Sequence, residues 1–247
     1  MTDSSAPQPA AIGTEPVDVQ QLREDVVTCT KLLVNREVLD YSGHVSARIP
    51  GEDLVLIQPR DASRASLEPD DLLVVDLDGN VVEGEGIPVA ETAIHTGVYR
   101  NRPDVTFVCH GHPPLATVFS VVDRSLSPVR HFAYKFPDGL AVHPDPTHIR
   151  TREQGDAVAA TLGSAGACLL RSHGTVVVSD RIDVLFMDCL DLEENARTLL
   201  YASQLGQPIP LDEAELEAVA ASYGRGGHRP GKVWEHYQFR GRQAGVL

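Results

Sequence analysis

The chain has 247 residues, of which 42% are hydrophobic and 23% are charged. These fractions are typical of globular proteins and exclude a wholly disordered chain or a coiled coil. The formal net charge of -14 repels a phosphate backbone, so nucleic acid is not an expected partner. The chain contains 10 histidines beside 1 tryptophan and 2 methionines, so the placement of histidine carries most of the functional information.

The first residues and the cysteines indicate a cytoplasmic protein. Residues 1–16 are rich in Ser, Ala and Pro and have neither a basic start nor an apolar core, so we expect a disordered leader. Residues 17–247 are then expected to form a single domain with a C-terminal tail. The 4 cysteines include no C-x-x-C pair, which predicts reduced thiols. No apolar run approaches the roughly 18 residues that span a bilayer, so no membrane contact is expected.

Hydrophobic spacing predicts one helix and then several strands in the first third of the domain. Leu22, Val26, Cys29 and Leu33 recur every three or four residues, as on one apolar helical face. Short β-rich segments follow between turn residues. The predicted strands are 45–49, 54–57, 72–76 and 81–82.

Helices and strands alternate in the middle of the chain. A helix over 89–101, ended by Pro103, precedes a strand over 105–109, and Pro113-Pro114 predicts a helix opening near Leu115. Residues 122–146 have the composition of a long loop, and such loops in compact domains are commonly functional.

The remaining elements complete an α/β pattern. A helix over 147–162 precedes two strands, 167–171 and 175–178, that flank His173-Gly174. A long helix follows with Asp180 as its N-cap and Gly206 as its stop. An acidic helix from Leu211 and an aromatic final segment form the tail. This order predicts helices on both faces of one mixed sheet, a three-layer α/β/α domain.

Three histidines have the placement of metal ligands. His110 and His112 are two residues apart at the end of a predicted strand, so their side chains project to the same side. His173 follows a second predicted strand and converges on them if the two strands are neighbours. Three histidines that leave one coordination position open are typical of a catalytic metal site.

Glu91 is the fourth candidate for this site. It lies near the start of the helix that precedes the H-x-H strand, and His95 follows one turn later on the same face. A carboxylate there can bind the metal or transfer a proton. The ordinary alternatives are a solvated glutamate and buried histidines without a metal.

These segments together resemble the class II aldolase/adducin-like proteins from the first helix to about Leu205. The matching motifs are G-H-V-S-A-R at 43–48, A-E at 90–91 before a helix that ends in R-P-D, H-G-H-P at 110–113 and S-H-G at 172–174. The resemblance implies an α/β/α sandwich with a mostly antiparallel sheet and a homotetramer with active sites between subunits. It also implies one divalent metal ion per subunit, held by His110, His112 and His173, with Glu91 as ligand or acid/base.

The donor set does not select the metal. Histidine nitrogens and a carboxylate accept Zn²⁺ or Mn²⁺, and Fe²⁺ and Co²⁺ fit the same donors.

Three departures distinguish the chain from the sugar-phosphate members of the family. His44 stands in place of an asparagine, Gln58-Pro59-Arg60-Asp61 in place of a T-P-T-G loop, and Val89-Ala90 in place of two serines. Phosphate recognition needs hydroxyl and N–H donors, most of which are lost here. The guanidinium of Arg60 instead suits a carboxylate.

This pattern resembles the branch that decarboxylates hydroxylated aromatic carboxylates such as a dihydroxyphthalate. On this hypothesis Arg60, with His44 or Ser46, orients the carboxylate, and Glu91 is the catalytic residue that delivers the proton replacing CO₂. Tyr134, Lys135 and Tyr237 are candidates to line the pocket of a neighbouring subunit in the tetramer. The alternative is that Tyr134 and Lys135 belong to a surface loop, and Tyr237 to a packed tail, with no part in a site.

Two other functions stay open at this point. One is an aldolase acting on a non-phosphorylated hydroxy-carbonyl substrate, with a dehydratase or epimerase behind it. The other is an adducin-like binding module without catalysis, for which the metal histidines are not expected.

Overall fold

The computed structural model describes residues 18–224 and 229–247. The predicted leader, residues 1–16, lies outside these ranges, and the assignment of 17–247 to one domain stays a prediction. Within the described ranges, no helix combines the length and apolar character needed to cross a membrane.

Six α-helices occur in the described ranges. They are α1 (Val19–Asn35), α2 (Thr92–Asn101), α3 (Arg152–Leu162), α4 (Ile182–Leu205), α5 (Glu213–Gly224) and α6 (Arg229–Gln243). Local capping sets two of the starts. The Asp18 side chain accepts N–H groups at the start of α1, and Thr151 forms a capping box with Gln154 at the start of α3.

Eight strands form one sheet. They are β1 (His44–Arg48), β2 (Leu54–Ile57), β3 (Leu73–Asp76), β4 (Val81–Glu83), β5 (Phe107–Gly111), β6 (Val142–His143), β7 (Ala167–Leu170) and β8 (Gly174–Ser179). Their order is β4-β3-β2-β1-β5-β8-β7-β6, and β6 with β7 is the parallel pair among antiparallel ones. The predicted mixed, mostly antiparallel sheet is confirmed.

Helices cover both faces of this sheet because side chains alternate along each strand. On β5, Phe107 and Cys109 join the apolar core that includes α1 and α4 residues. Val108, between them, joins a second core with residues of α2 and α3. The three-layer α/β/α arrangement is therefore confirmed, and Cys109 lies on the opposite face of β5 from His110.

Close helix packing brings α3 up to α2. A Cβ atom added to Gly97 would lie 2.4 Å from the Gly155 carbonyl carbon, and one added to Gly155 would lie 2.0 Å from the Ala93 oxygen. Only glycine at both positions permits this crossing. It places the segment just before α3, which includes His148 and Ile149, beside the start of α2.

The structure corrects the predicted helix near Leu115. A short 3₁₀-helix, Thr117–Ser120, lies there instead, and the N–H groups of Leu115 and Ala116 before it donate to the distant Glu193 carboxylate. The Ser120 hydroxyl donates to the Thr117 carbonyl and so competes with the Val121 N–H that would continue an α-helix.

Several other boundaries also differ from the prediction. Helix α2 begins at Thr92 because the Thr92 N–H and hydroxyl both bond to the Val89 carbonyl in a preceding turn. Helix α4 has Arg181 at its N-cap position, where its N–H bonds to Ser179, and not Asp180. The predicted loop contains a 3₁₀-helix, His131–Lys135, and the short strand β6.

Candidate metal centre

Strand order brings the candidate ligands together. Strands β5 and β8 are neighbours, and Gly111 pairs with Thr175 across them. His173 lies in the turn that joins β7 to β8, directly after Ser172, whose φ of 56° is unusual for a residue with a Cβ. A Cβ on Gly174 would lie 2.2 Å from the Gly111 oxygen and 2.9 Å from His112 Cδ2, so glycine allows this close approach.

Four side chains converge at this edge of the sheet. One nitrogen or oxygen atom from each of Glu91, His110, His112 and His173 lies within 4.8 Å of the others. The Glu91 Oε2 atom is 3.4 Å from both His110 Nε2 and His173 Nε2. The structure therefore brings together the four residues that the sequence assigns to a metal; we call them the histidine cluster.

Neighbouring acceptors orient two of these imidazoles. His110 Nδ1 lies 3.0 Å from the Thr175 carbonyl oxygen, which only accepts hydrogen bonds, so the proton is on Nδ1. His112 Nδ1 lies 3.2 Å from the Asp40 carboxylate, which fixes the same tautomer. In this tautomer each Nε2 atom carries a lone pair that can bind a cation.

The buried lone pair of His110 indicates that a cation fits the histidine cluster. His110 is fully buried, and its Nε2 atom has no hydrogen-bond partner in the part of the chain that the structure describes. An unpaired buried nitrogen is costly unless something binds it. Its position among two further histidines and a carboxylate, with outer partners on Nδ1, matches the donor set of a divalent cation.

Glu91 occupies the position before the first residue of α2, with non-helical φ and ψ angles. Its carboxylate makes no cap to its own helix and instead accepts the Ile149 N–H at 3.0 Å through Oε1. Burial opposes ionisation, but the imidazoles of His110 and His173, when protonated, and the Ile149 N–H donate to the carboxylate and hold the pKa of Glu91 below its usual range. Glu91 is therefore an anion at neutral pH.

Asp40 is a site residue that the sequence interpretation missed. Its carboxylate accepts the N–H groups of Ser42 and Gly43, at 2.8 and 3.0 Å, as well as contacting His112. Burial opposes ionisation, but these hydrogen bonds, including the one from His112, lower the pKa of Asp40. The D-x-S-G turn before His44 is the sequence signal that indicates it.

A cavity of about 470 Å³ opens over the histidine cluster. Its wall includes three arginines, Arg60, Arg64 and Arg150, together with Val89 and Ala90 next to Glu91. Arg64 was not predicted; it is buried, and its Nε donates to the Gly43 carbonyl at 3.0 Å. Against the two lining carboxylates, Asp40 and Glu91, the three arginines leave this wall with one excess positive charge in a chain of net charge -14. It suits an anion.

His148 is a second lining residue absent from the sequence interpretation. Its side chain is largely exposed, and its Nδ1 atom lies 3.6 Å from Glu91 Oε1.

Two predicted substrate contacts lie in a buried hydrogen-bonded chain. His44 lines the cavity, and its Nδ1 is 2.6 Å from His95 Nε2. His95 Nδ1 is 2.6 Å from the Ser46 hydroxyl, which is 2.7 Å from the Tyr99 hydroxyl. Burial lowers the pKa of His95 to about 3, so this imidazole is neutral. Ser46 is completely buried and meets His95 and Tyr99, and it is not among the residues that line the cavity.

Three other predicted contacts are not at the cavity within one chain. Tyr134 stacks on Tyr223, and Lys135 forms an ion pair with Asp188. Tyr237 packs edge-on against Phe186. Their part in a neighbouring subunit's site stays a prediction.

Known proteins resemble this chain over most of its length. It is 26% identical over 206 residues to a 5-deoxy-D-ribulose 1-phosphate aldolase of Bacillus thuringiensis serovar kurstaki, covering 83% of this chain and 96% of that one. It is 27% identical over 220 residues to a 3,4-dihydroxyphthalate decarboxylase of Arthrobacter keyseri, covering 81% and 88%.

A solved structure shares the fold. The L-fuculose 1-phosphate aldolase of Glaciozyma antarctica superposes with a TM-score of 0.81 at 22% identity, over 96% of this chain and 95% of that one.

The family comparison agrees with the motifs and the geometry of the site. Residues 24–200, which hold the whole histidine cluster, match the family described as "Class II Aldolase and Adducin N-terminal domain". The chain therefore belongs to the class II aldolase and adducin N-terminal domain family.

Proposed function

We propose that this chain is a metal-dependent lyase that decarboxylates a hydroxylated aromatic carboxylate. The observation that carries the proposal is the composition of the cavity, because arginines line it together with residues of the histidine cluster. The similarity to a 3,4-dihydroxyphthalate decarboxylase supports the same class of substrate.

His110, His112 and His173 hold the metal ion in this proposal, with Glu91 as a fourth ligand or as the proton carrier. Zn²⁺ or Mn²⁺ is expected, and Fe²⁺ or Co²⁺ fits the same donors. Such an ion withdraws electron density from substrate oxygens next to the bond that breaks.

Arg60 binds the carboxylate that is lost. Its side chain is 49% exposed and lines the cavity, so it can turn towards a ligand, and its near neighbour Asp61 is a weak partner at 3.4 Å. Arg64 is held by backbone carbonyls and instead fixes the loop that carries Arg60. A planar guanidinium offers a carboxylate two parallel hydrogen bonds.

Glu91 transfers the proton. Because it is ionised in the resting site, it first accepts a proton, from a substrate hydroxyl, and then donates it to the ring carbon that loses CO₂. A proton from solvent restores the hydroxyl as the product leaves. The overall reaction consumes one proton and one carboxylate and yields CO₂ and a C–H bond.

The wall beside Glu91 favours a flat apolar body over a phosphate. Val89 and Ala90 line the cavity there and carry no side-chain hydroxyl to bind phosphate oxygens. An aromatic ring removes their apolar surface from water.

The direct test is incubation of the metal-loaded protein with 3,4-dihydroxyphthalate and measurement of released CO₂. We expect CO₂ release, and about a tenfold or larger fall in kcat/KM for Arg60→Gln because a charged hydrogen bond is lost. Arg171→Gln, an exposed arginine that does not line the cavity, is the matched control. Cleavage of a hydroxy-carbonyl compound without any CO₂ release would overturn the decarboxylase in favour of an aldolase.

The aldolase is the second candidate, acting on a hydroxy-carbonyl substrate without phosphate. It is favoured by similarity to 5-deoxy-D-ribulose 1-phosphate aldolase at nearly the same identity. A non-catalytic binding module is the third; a protein that purifies without metal and gains no thermal stability from added metal would support it.

We also propose a cytoplasmic homotetramer with active sites between subunits. All four cysteines are free and buried, which suits a reducing compartment. Tyr41, at the cavity rim, is 89% exposed, and Val121 and Val122 are exposed after the 3₁₀-helix Thr117–Ser120, which leaves apolar surface for a neighbouring subunit. Light scattering measures the assembly, and a monomer with full activity would contradict the proposal.

A further inference from the structure

The buried chain of hydrogen bonds under the cavity has one direction of donation. It runs from His44 through His95 and Ser46 to Tyr99, with links of 2.6, 2.6 and 2.7 Å. All four side chains are buried, so no bulk water competes for these hydrogen bonds. Each member carries one mobile proton in its neutral form, so fixing the donor at one end fixes every link.

The fixed end is at Tyr99. Its hydroxyl lies 3.2 Å from the Thr106 carbonyl oxygen, which only accepts hydrogen bonds. That oxygen has two lone pairs and also accepts the Arg48 N–H at 2.8 Å. Tyr99 therefore donates its single proton to Thr106 and accepts one from Ser46.

The direction then passes back to His44. Ser46 uses its proton on Tyr99, so it accepts from His95 Nδ1–H. A neutral His95 with its proton on Nδ1 has a lone pair on Nε2, which accepts from His44 Nδ1–H. Since His44 is also a single-proton imidazole in this chain, its Nε2 atom carries a lone pair. No hydrogen-bond partner for that atom is found among residues 18–224 and 229–247.

We infer that His44 is a specificity residue whose Nε2 lone pair accepts a hydrogen bond from a substrate hydroxyl. This inference rests on the proposed function for its ligand class, a hydroxylated carboxylate. His44 then does not orient the carboxylate, because two acceptors facing each other repel. Ser46, His95 and Tyr99 are positioning residues that act only through His44.

The arrangement divides recognition between two sides of the cavity. Arg60 provides donors for an anion, and His44 provides an acceptor for a hydroxyl. A site built to pair a hydroxyl discriminates strongly against an analogue without one, because a polar group of the site is left unpaired.

Tyr99→Phe tests the direction from the far end of the chain. Without the tyrosine oxygen, Ser46 has no acceptor there and turns its proton to His95 Nδ1. His95 then carries its proton on Nε2, and His44 is left with its proton on Nε2 instead of Nδ1. The control for lost packing is Val98→Ala, because Val98 is buried in the same helix but takes no part in these hydrogen bonds.

Nitrogen-15 NMR of histidine-labelled protein, metal-free and loaded with Zn²⁺, reads the tautomers directly, since protonated and bare imidazole nitrogens resonate far apart. We expect Nδ1–H for His44 in the wild type and in Val98→Ala, and Nε2–H in Tyr99→Phe. His44→Gln assigns the resonance. A wild-type His44 with its proton on Nε2 overturns the inference, whether or not the protein releases CO₂.

Calorimetric binding of 2,3-dihydroxybenzoate and of its mono-O-methyl ethers gives the second readout. The wild type is expected to prefer the dihydroxy ligand over one of the ethers by about tenfold beyond the preference of Tyr99→Phe. Comparing the two proteins cancels the effect of methylation on metal binding. An equal preference in both proteins overturns the role of His44.

Failure of the proposed function looks different. If none of these benzoates binds and no CO₂ is released, the decarboxylase and the hydroxyl-recognition role of His44 both fail, even where the tautomers are as expected. If CO₂ is released but the tautomer or the ligand preference is not as expected, the inference fails alone.

Discussion

Two groups of polar side chains in this fold differ in how their charges and lone pairs are paired. Near α4, Lys135 pairs with Asp188, and Arg229 holds Asp191 through two bonds of 2.7 and 2.8 Å. We call these four residues the lysine cluster. In the histidine cluster, His110 Nε2 is buried without a hydrogen-bond partner among the described residues.

The difference separates structural from binding groups. The acidic side chains of the lysine cluster are only 8% and 7% exposed, and opposite charges compensate them. Such a group holds elements together and has little capacity left for a ligand. A buried lone pair without a partner, beside a cavity, is instead available to bind a ligand.

Removing a ligand is expected to have the largest effect. His110→Ala should abolish stoichiometric metal binding and lower activity at least about a hundredfold, because one of three imidazole ligands is lost. Metal analysis of the purified variant and thermal unfolding with added Zn²⁺ measure this. Full metal content in the variant would show that the cluster is not the metal site.

Breaking the lysine cluster is expected to act on stability and not on metal binding. Asp188→Ala leaves the half-buried ammonium of Lys135 without its nearest partner, so the free energy of unfolding should fall by about 3 kcal/mol. Urea denaturation measures the change. Loss of metal from the folded variant would contradict the separation of the two clusters.

Acid is expected to destabilise the folded protein through its buried neutral histidines. Burial lowers the pKa of His95 to about 3, from 6.5, and it also lowers the pKa of His44. The unfolded chain therefore binds more protons below pH 6.5, and the free energy of unfolding falls as pH decreases towards 3. Each such histidine contributes a slope of up to about 1.4 kcal/mol per pH unit.

Urea denaturation of metal-free protein between pH 7 and pH 4 tests this dependence. His95→Gln should show a shallower slope than the wild type, because one titrating group is gone. The same slope in both proteins would contradict the assignment of His95 as a buried neutral histidine.

Loosening the outer partner of a ligand is expected to have the smallest effect. Asp40→Asn keeps the size of the side chain but weakens the contact that orients His112, so metal affinity should fall about tenfold. Competition with a chelator measures it. Asp61→Asn, an exposed acidic residue outside the cluster, is the control, and equal affinities of both variants would remove Asp40 from the site.

Local patterns in the sequence predicted most elements and the ligands. A β-rich apolar run between turn residues located β2, and apolar residues at helical spacing located α1 and α4. His110 and His112 were recognisable since their spacing and strand position are local. Residues joined by long-range contacts were harder: Asp40 meets His112 across 72 residues, and the Glu193 carboxylate accepts the N–H groups of Leu115 and Ala116 from the other half of the chain.

The sequence by itself determined the family, the α/β/α layers and four candidate ligands, because those depend on local periodicity and on motifs within short segments. Only the tertiary structure decided which atoms face the cavity. It buried Ser46 between His95 and Tyr99 and outside the cavity wall, brought Arg64 and Asp40 to that wall, and set the donors and acceptors of the hydrogen bonds that end at His44. The physical reason is that donor and acceptor roles follow from partners brought together by strand pairing, which single-sequence patterns do not specify.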